Sequence, residues 1–77
     1  MRAGDLVEVS CDLATRGRVY VNPIAAADSF EAPNGTLGIV IEMGDPRRGT
    51  YVGEARVLFA DARIGWIPTV HLESLDL

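Results

Sequence analysis

Near its end the chain contains the segment Gly65-Trp66-Ile67-Pro68-Thr69-Val70-His71-Leu72-Glu73, which is the most informative about the fold. Residues 63–68 have the composition of a strand. Pro68 ends this strand because proline has no N–H group to donate to the next ladder hydrogen bond. A single helical turn over residues 69–71 and a short last strand near residues 73–75 follow. The segment therefore predicts a strand, a turn and a strand in close succession.

Alternation of apolar and polar residues predicts three further strands upstream. Their ranges are Leu6–Cys11, Thr36–Met43 and Tyr51–Ala60. The first and third strands offer an inner face made of Val7, Val9, Cys11, Ala55, Val57 and Phe59. The second strand follows a segment of turn-forming residues. Its alternation places on one face Leu37, Ile39, Ile41 and Met43. A tight turn at Asp61-Ala62 joins the last two of the four long strands.

The connection between the first two strands, residues 12–35, is unusually long for a compact domain. A short strand over residues 18–22 is one possibility within it. The connection contains apolar side chains that gain nothing by remaining in water, namely Tyr20, Ile24, Ala25, Ala26, Ala27 and Phe30. We therefore expect an apolar arm, residues 20–30, that lies on the sheet or on a neighbouring molecule.

The length and composition favour one domain, residues 1–77, with more apolar side chains than its interior needs. A domain of 77 residues buries only roughly 60% of the surface that its unfolded chain exposes. Nevertheless 48% of its residues are hydrophobic, and its mean hydropathy is +0.16. Contiguous apolar surface on a protein usually marks an interface. We therefore expect docking against protein partners, which include further copies of the same chain.

The net charge of −4, with seven basic residues that are all arginine, argues against nucleic acid as the main partner. The N-terminal residues lack the apolar core of a signal peptide, and no segment approaches the length of a membrane span. We therefore expect a cytoplasmic origin and no membrane association.

Side chains for catalysis or metal binding are sparse. Cys11 is the only cysteine and His71 the only histidine, and no recognised metal-ligand spacing surrounds either of them. Carboxylate pairs such as Glu73 with Asp76 belong to segments that form no sheltered cleft, so we expect a solvated rim. No combination of nucleophile, base and orienting group can be assembled. We expect no enzymatic activity, no cofactor, no metal and no small-molecule substrate.

The segment from Gly65 to Glu73 resembles the part of SH3 domains in which a strand ends in proline, passes through one 3₁₀ turn and enters the final strand. The order of a long first loop, a shorter second loop and a tight third turn agrees with this resemblance, and residues 35–40 resemble the glycine-punctuated strand of KOW domains. The resemblance implies an all-β, five-stranded SH3-like barrel with a long first loop, residues 12–35, and one short 3₁₀ turn. Polyproline recognition is not expected, because His71 stands where the family usually has tyrosine.

A narrower resemblance concerns small SH3-like barrels among the structural proteins of tailed bacteriophages. The residues that carry it are Gly4-Asp5-Leu6-Val7, Gly65-Trp66 and Leu72-Glu73-Ser74-Leu75. It implies a virion component, such as a capsid decoration (cement) protein or a head, neck or tail protein.

The predicted docking surface is centred on Trp66. If Gly65 and Ile67 point inward, strand alternation sends Trp66 outward together with Ile64 and Leu58. In the alternative, the long first loop folds over Trp66 and covers it. An interface role for Trp66 and a covering loop are compatible if that loop comes from a neighbouring subunit. The predicted interface residues are Trp66, Ile64, Leu58, Tyr20, Ile24 and Phe30.

A second hypothesis is a KOW-like or Tudor-like module that binds nucleic acid or ribonucleoprotein. It depends on Arg47 and Arg48, which lie at a loop tip between Pro46 and Gly49. Arginine side chains in such a position are suited to contact phosphate, or an acidic protein partner.

Overall fold

Strands make up almost all of the regular structure of this protein. The computed structural model describes residues 1–11, 17–21 and 28–75. In these residues the elements are β1 (Leu6–Val9), β2 (Arg18–Tyr20), β3 (Ser29–Glu31), β4 (Leu37–Met43), β5 (Glu54–Phe59), β6 (Ile64–Pro68) and β7 (Leu72–Ser74), with 3₁₀ turns at Pro46–Arg48 and Thr69–His71. The predicted all-β class is confirmed.

All seven strands belong to one antiparallel sheet with the order β3-β2-β6-β5-β4-β1-β7. Strands β4, β5 and β6 follow one another as neighbours, whereas β1 lies between β4 and β7. The pairing of β1 with β7 therefore brings the beginning of the described chain next to its end. The pairing of these strands determines which outward-facing side chains lie next to each other.

Most predicted strands occur within a few residues of their expected bounds, and the 3₁₀ turn at Thr69–His71 is confirmed. Strand β5 begins three residues later than expected because Gly53, with a φ of 86°, still belongs to the preceding turn. The sheet has seven strands where five were expected. The extra strands are β2, which was one possibility, and β3, which was missed because its three residues show no apolar alternation.

Both extra strands fall within residues 12–35, which were expected to form a loop. They pair as a hairpin with Val19 opposite Phe30, and β2 also pairs with β6 through Tyr20 and Trp66. The described part of the arm is therefore part of the sheet.

One face of the sheet encloses the hydrophobic core. The buried cluster takes residues from strands throughout the sheet, and it contains Val7, Val9, Val19, Ala32, Val40, Ala55, Val57, Phe59, Ile67 and Leu72. A flat sheet could not bring inward side chains of β2 and β7 into one cluster, so the sheet must curl around them. The molecular extents of 31 × 25 × 22 Å agree with a curled sheet, because a flat one would be much thinner.

A β-bulge in β4 changes which of its side chains face the core. The register with β5 shifts between Val40 and Glu42, so that Ile41 is the extra residue. Leu37 and Ile39 face outward, but Met43 pairs with the buried Ala55 and packs against the core. The prediction that Met43 shares a side with Leu37 and Ile39 is therefore wrong, because strict alternation ignores the bulge.

The side-chain amide of Asn34 holds the chain in place directly after β1. Its Oδ1 accepts a hydrogen bond from the Cys11 backbone N–H at 2.9 Å, and its Nδ2 donates to the Cys11 carbonyl at 2.8 Å. The amide thus replaces the backbone partner that a neighbouring strand would supply. The Cys11 thiol lies against the core and donates to the same Oδ1, which supports the role of a small hydrophobic residue.

Gly65 allows β2 and β6 to approach closely. A Cβ atom at this position would lie 2.5 Å from Val19 Cγ1 and 3.0 Å from the Tyr20 carbonyl oxygen. Any side chain would therefore push the hairpin away from the rest of the sheet.

We expect Gly65→Ala to lower the free energy of unfolding by about 1–3 kcal/mol because the core there has no room for a methyl group. Val19→Ala removes the nearest side-chain atom, so the double variant should lose less than the sum of the two single losses. Urea unfolding of the three variants measures this coupling. Additive losses would show that the methyl group and Val19 do not compete for the same space.

Candidate functional site

A row of apolar side chains crosses the outer face of the curled sheet. We call it the outer row, and it consists of Leu75, Leu6, Ile39, Leu58 and Ile64. Register places Leu6 opposite Ile39, Ile39 opposite Leu58 and Leu58 opposite Ile64. The Leu75 N–H donates to the Leu6 carbonyl at 3.0 Å, which puts Leu75 beside the other end of the row.

Alternation along each strand explains why these side chains point away from the core. Their chain neighbours Val7, Val40, Val57 and Gly65 are buried, and successive side chains of a strand point to opposite faces. Ile39 is 47% exposed, and Leu58 and Ile64 are each 39% exposed. The outer row is therefore a continuous apolar surface in contact with solvent, as predicted for Leu58 and Ile64.

A shallow groove of about 260 Å³ lies along this row. Leu6, Ile39 and Leu58 line it together with Leu37 and Ala60. Leu37 is 43% exposed and widens the apolar surface toward the turn that follows β5. The groove is suited to apolar side chains of a partner, since it lacks the convergent polar groups that orient a small substrate.

Trp66 lies on the outer face by register, but it is only 4% exposed. It stands between Tyr20 on β2 and Arg56 on β5, which are its cross-strand partners. Trp66 is also outside the main core cluster. The expected direction of Trp66 is thus correct, whereas the indole is not available on the surface of this chain.

The other aromatic residues of the predicted interface have structural surroundings. Phe30 packs against the core, with its ring perpendicular to that of Phe59 at a centroid distance of 5.9 Å. The Arg63 guanidinium lies 4.2 Å from the centre of the Phe30 ring, a geometry that favours a cation–π interaction. Tyr20 is half-buried in β2, and Ile24 lies outside the described residues. Phe30 therefore stabilises this chain instead of offering a free surface.

Arg47 and Arg48 lie on the 3₁₀ turn between β4 and β5, and both are exposed. Asp45 caps this turn by accepting a hydrogen bond from the Arg47 backbone N–H at 2.9 Å. The same carboxylate lies 3.3 Å from the Arg47 guanidinium Nε. Because Asp45 offsets the charge of Arg47, the turn presents less positive charge than its sequence indicates.

Of the residues considered for catalysis or metal binding, the structure describes Cys11, His71 and Glu73, whereas Asp76 lies outside the described residues. Among residues 1–11, 17–21 and 28–75, no three His, Cys, Asp or Glu side chains are grouped so that they could hold a metal ion. His71 Nδ1 is buried and has no hydrogen-bond partner in that part of the chain, whereas the His71 carbonyl accepts from the Ser10 N–H at 2.8 Å.

The turn between β5 and β6 depends on a local ion pair. The Asp61 carboxylate accepts hydrogen bonds from the Arg63 backbone N–H at 3.1 Å and from the Arg63 Nε at 2.6 Å. These bonds hold the pKa of Asp61 below its ordinary value of 3.8. In contrast, burial raises the pKa of Glu54 at the start of β5.

Comparisons with protein-family models, with curated proteins and with solved structures find no match for this chain. In the described part of the chain, no helix has the length and apolar character needed to cross a membrane.

We expect Trp66→Ala to destabilise the chain by about 3–5 kcal/mol, because it removes a large and almost fully buried side chain. Leu58→Ala on the same face should cost less, since Leu58 is 39% exposed. Thermal and urea unfolding of both variants measure the difference. Equal stability of Trp66→Ala and the parent chain would show that the indole is not packed.

We expect Asp61→Asn to be less stable than the parent chain at neutral pH, because the amide keeps the backbone bond but loses the charge. A lowered pKa in the folded state means that Asp61 stabilises the fold above its unfolded pKa. This contribution disappears as the pH falls through the folded pKa. Urea unfolding between pH 7 and pH 2 should therefore show two stability curves that converge at the acid end, and a constant gap would contradict the assignment.

Proposed function

We propose that this chain is a non-enzymatic structural or interaction module, which docks into a larger protein assembly through the outer row and Leu37. The observation that carries the proposal is the continuity of the row across neighbouring strands, in which Ile39, Leu58 and Ile64 are exposed and Leu6 and Leu75 are half-buried. Isolated exposed apolar residues are common, whereas contiguous ones indicate an interaction site.

The size of the row indicates how much binding energy it supplies. Leu37, Ile39, Leu58 and Ile64 are 39–47% exposed, so their complete burial recovers roughly 1 kcal/mol each. The sum of about 4 kcal/mol only matches the lower end of the cost of association, about 4–15 kcal/mol. A stable complex therefore requires further contacts around the row.

We also propose that the curled sheet is an SH3-like barrel. Its support is the arrangement of the chain: residues 10–36, which contain the β2–β3 hairpin, separate β1 from β4, a shorter loop joins β4 to β5, and a tight turn joins β5 to β6. Pro68 and the 3₁₀ turn at Thr69–His71 then lead into β7.

In its most specific form the proposal is a component of a bacteriophage virion, made in the cytoplasm of the host, such as a capsid decoration or head, neck or tail protein. The support for this form is the sequence resemblance in residues 4–7, 65–66 and 72–75. A second candidate function, nucleic-acid or ribonucleoprotein binding, is favoured by the exposure of Arg47 and Arg48. The ion pair of Arg47 with Asp45 and the net charge of −4 argue against it.

We expect Leu58→Asn to weaken assembly at least about fivefold, since covering the exposed part of Leu58 recovers roughly 1 kcal/mol and the substituted amide would lose its hydration. The measurement is native mass spectrometry and sedimentation of the purified chain, alone and with the proteins encoded by neighbouring genes. Val52→Asn is the matched control, because Val52 is 75% exposed but lies in the loop at the far end of β5.

Unchanged assembly of Leu58→Asn would remove the outer row as the docking surface. A salt titration of the same complex separates the two functions. A phosphate-dependent complex dissociates steeply as the salt concentration rises and is weakened by Arg48→Gln, whereas an apolar complex is not.

A further inference from the structure

Two carboxylates lie directly opposite each other beside the outer row. Glu8 on β1 and Glu73 on β7 are cross-strand partners. Their side chains point outward, because Val7, Val9 and Leu72 on the same strands are buried in the core. Like charges at directly opposite positions of an antiparallel pair repel each other. We call Glu8 and Glu73 the acidic flank.

Three acidic residues of the described chain have an arginine partner, whereas the acidic flank has none there. Within residues 1–11, 17–21 and 28–75, the ion pairs are Arg18–Glu31, Arg47–Asp45 and Arg63–Asp61. Each of these pairs is local to one hairpin or one turn. Within this part of the chain, no arginine offsets the charge of the acidic flank.

The acidic flank adjoins the apolar surface directly. Glu8 is the cross-strand partner of Leu37, and it lies two residues after Leu6 on the same face of β1. A partner that covers Leu6 and Leu37 must therefore also approach Glu8. Covering a carboxylate without a compensating charge removes its hydration and weakens the complex.

A second copy of the chain is a poor occupant of this surface. Each copy carries a net charge of −4 and the same acidic flank. A cationic side chain, by contrast, would relieve the repulsion between Glu8 and Glu73 and form charge-assisted hydrogen bonds with both. Charge complementarity of this kind determines which partner is accepted.

We propose that the occupant of the outer row is a segment of another protein that combines apolar side chains with at least one arginine or lysine placed at the acidic flank. This inference depends on the proposed docking function and adds the chemistry of the partner. The apolar side chains bind along Ile39, Leu58 and Ile64, and the cation binds between Glu8 and Glu73.

The test uses three short synthetic peptides with the same alternating leucines. The intervening residues are lysine in the first, serine in the second and glutamate in the third. Binding is measured by the shifts of backbone amide signals in the nuclear magnetic resonance spectrum of the whole chain. We expect the lysine peptide to bind most tightly, the serine peptide to bind more weakly, and the glutamate peptide to bind least. The shifts should cluster on β1, β4, β5 and β7.

Substitutions separate the role of charge from that of apolar contact. The double variant Glu8→Gln with Glu73→Gln should bind the lysine peptide about fivefold more weakly, since exposed ion pairs are individually weak, and should bind the serine peptide unchanged. The matched control is Asp28→Asn, an exposed acid beside β3 at the other end of the strand order, and it should change neither affinity. Leu58→Asn should weaken the binding of both peptides.

The outcomes distinguish this inference from the proposed function. Equal binding of the lysine and serine peptides, with no effect of the double glutamine variant, would overturn the inference and leave the docking surface in place. An equal loss of lysine-peptide binding in Asp28→Asn would also overturn it, since net charge and not the acidic flank would then be responsible. Absence of binding by all three peptides, together with unchanged assembly of Leu58→Asn, would overturn both.

Discussion

The structure depends on the need of a single sheet to enclose its own core. In the described residues no second layer covers the concave face, so inward side chains from strands as far apart as β2 and β7 must meet. Close approach of the strands follows from this requirement. At Gly65 it leaves no space for a Cβ atom next to Val19, and at Gly38 a Cβ atom would lie 2.5 Å from Val57 Cγ1. Small residues at these positions allow the curvature.

The same constraint leaves part of the outer face exposed among the described residues: Ile39, Leu58 and Ile64 are open to solvent, whereas Trp66 is buried. Each strand contributes side chains to both faces, and in β4 and β5 the outward positions include Ile39 and Leu58 as well as charged residues. A chain of this size has a limited capacity to bury apolar side chains on both faces of its sheet. A partner that covers the outer row would remove exposed apolar surface from water, and this gain underlies the docking proposal.

Two sets of charged residues have different roles, one in stabilising turns and the other at the surface beside the outer row. Arg47 and Arg63 form ion pairs with Asp45 and Asp61, two residues away in the chain, and these pairs stabilise turns. Glu8 and Glu73 come from opposite ends of the chain and are brought together by the pairing of β1 with β7. Local pairs contribute to the fold, whereas the acidic flank is the basis for the proposed preference for a cationic partner.

The sequence by itself determined the all-β class, the positions of the longer strands and the direction in which Leu58, Ile64 and Trp66 point. These features follow from local chemistry, because a two-residue period and the stop at Pro68 are properties of neighbouring residues. Strand β3 and the bulge at Ile41 had no local signal.

The tertiary structure decided which outward residues remain exposed and which of them meet. Trp66 and Ile64 share a face of one strand, yet Trp66 is 4% and Ile64 39% exposed, a difference that alternation cannot predict. The placement of Leu6 opposite Ile39 and of Glu8 opposite Glu73 likewise depends on the register between strands that are distant in sequence. Register and burial are set by packing of the whole chain, and this is the physical reason why the composition of the outer row could not be predicted from the sequence alone.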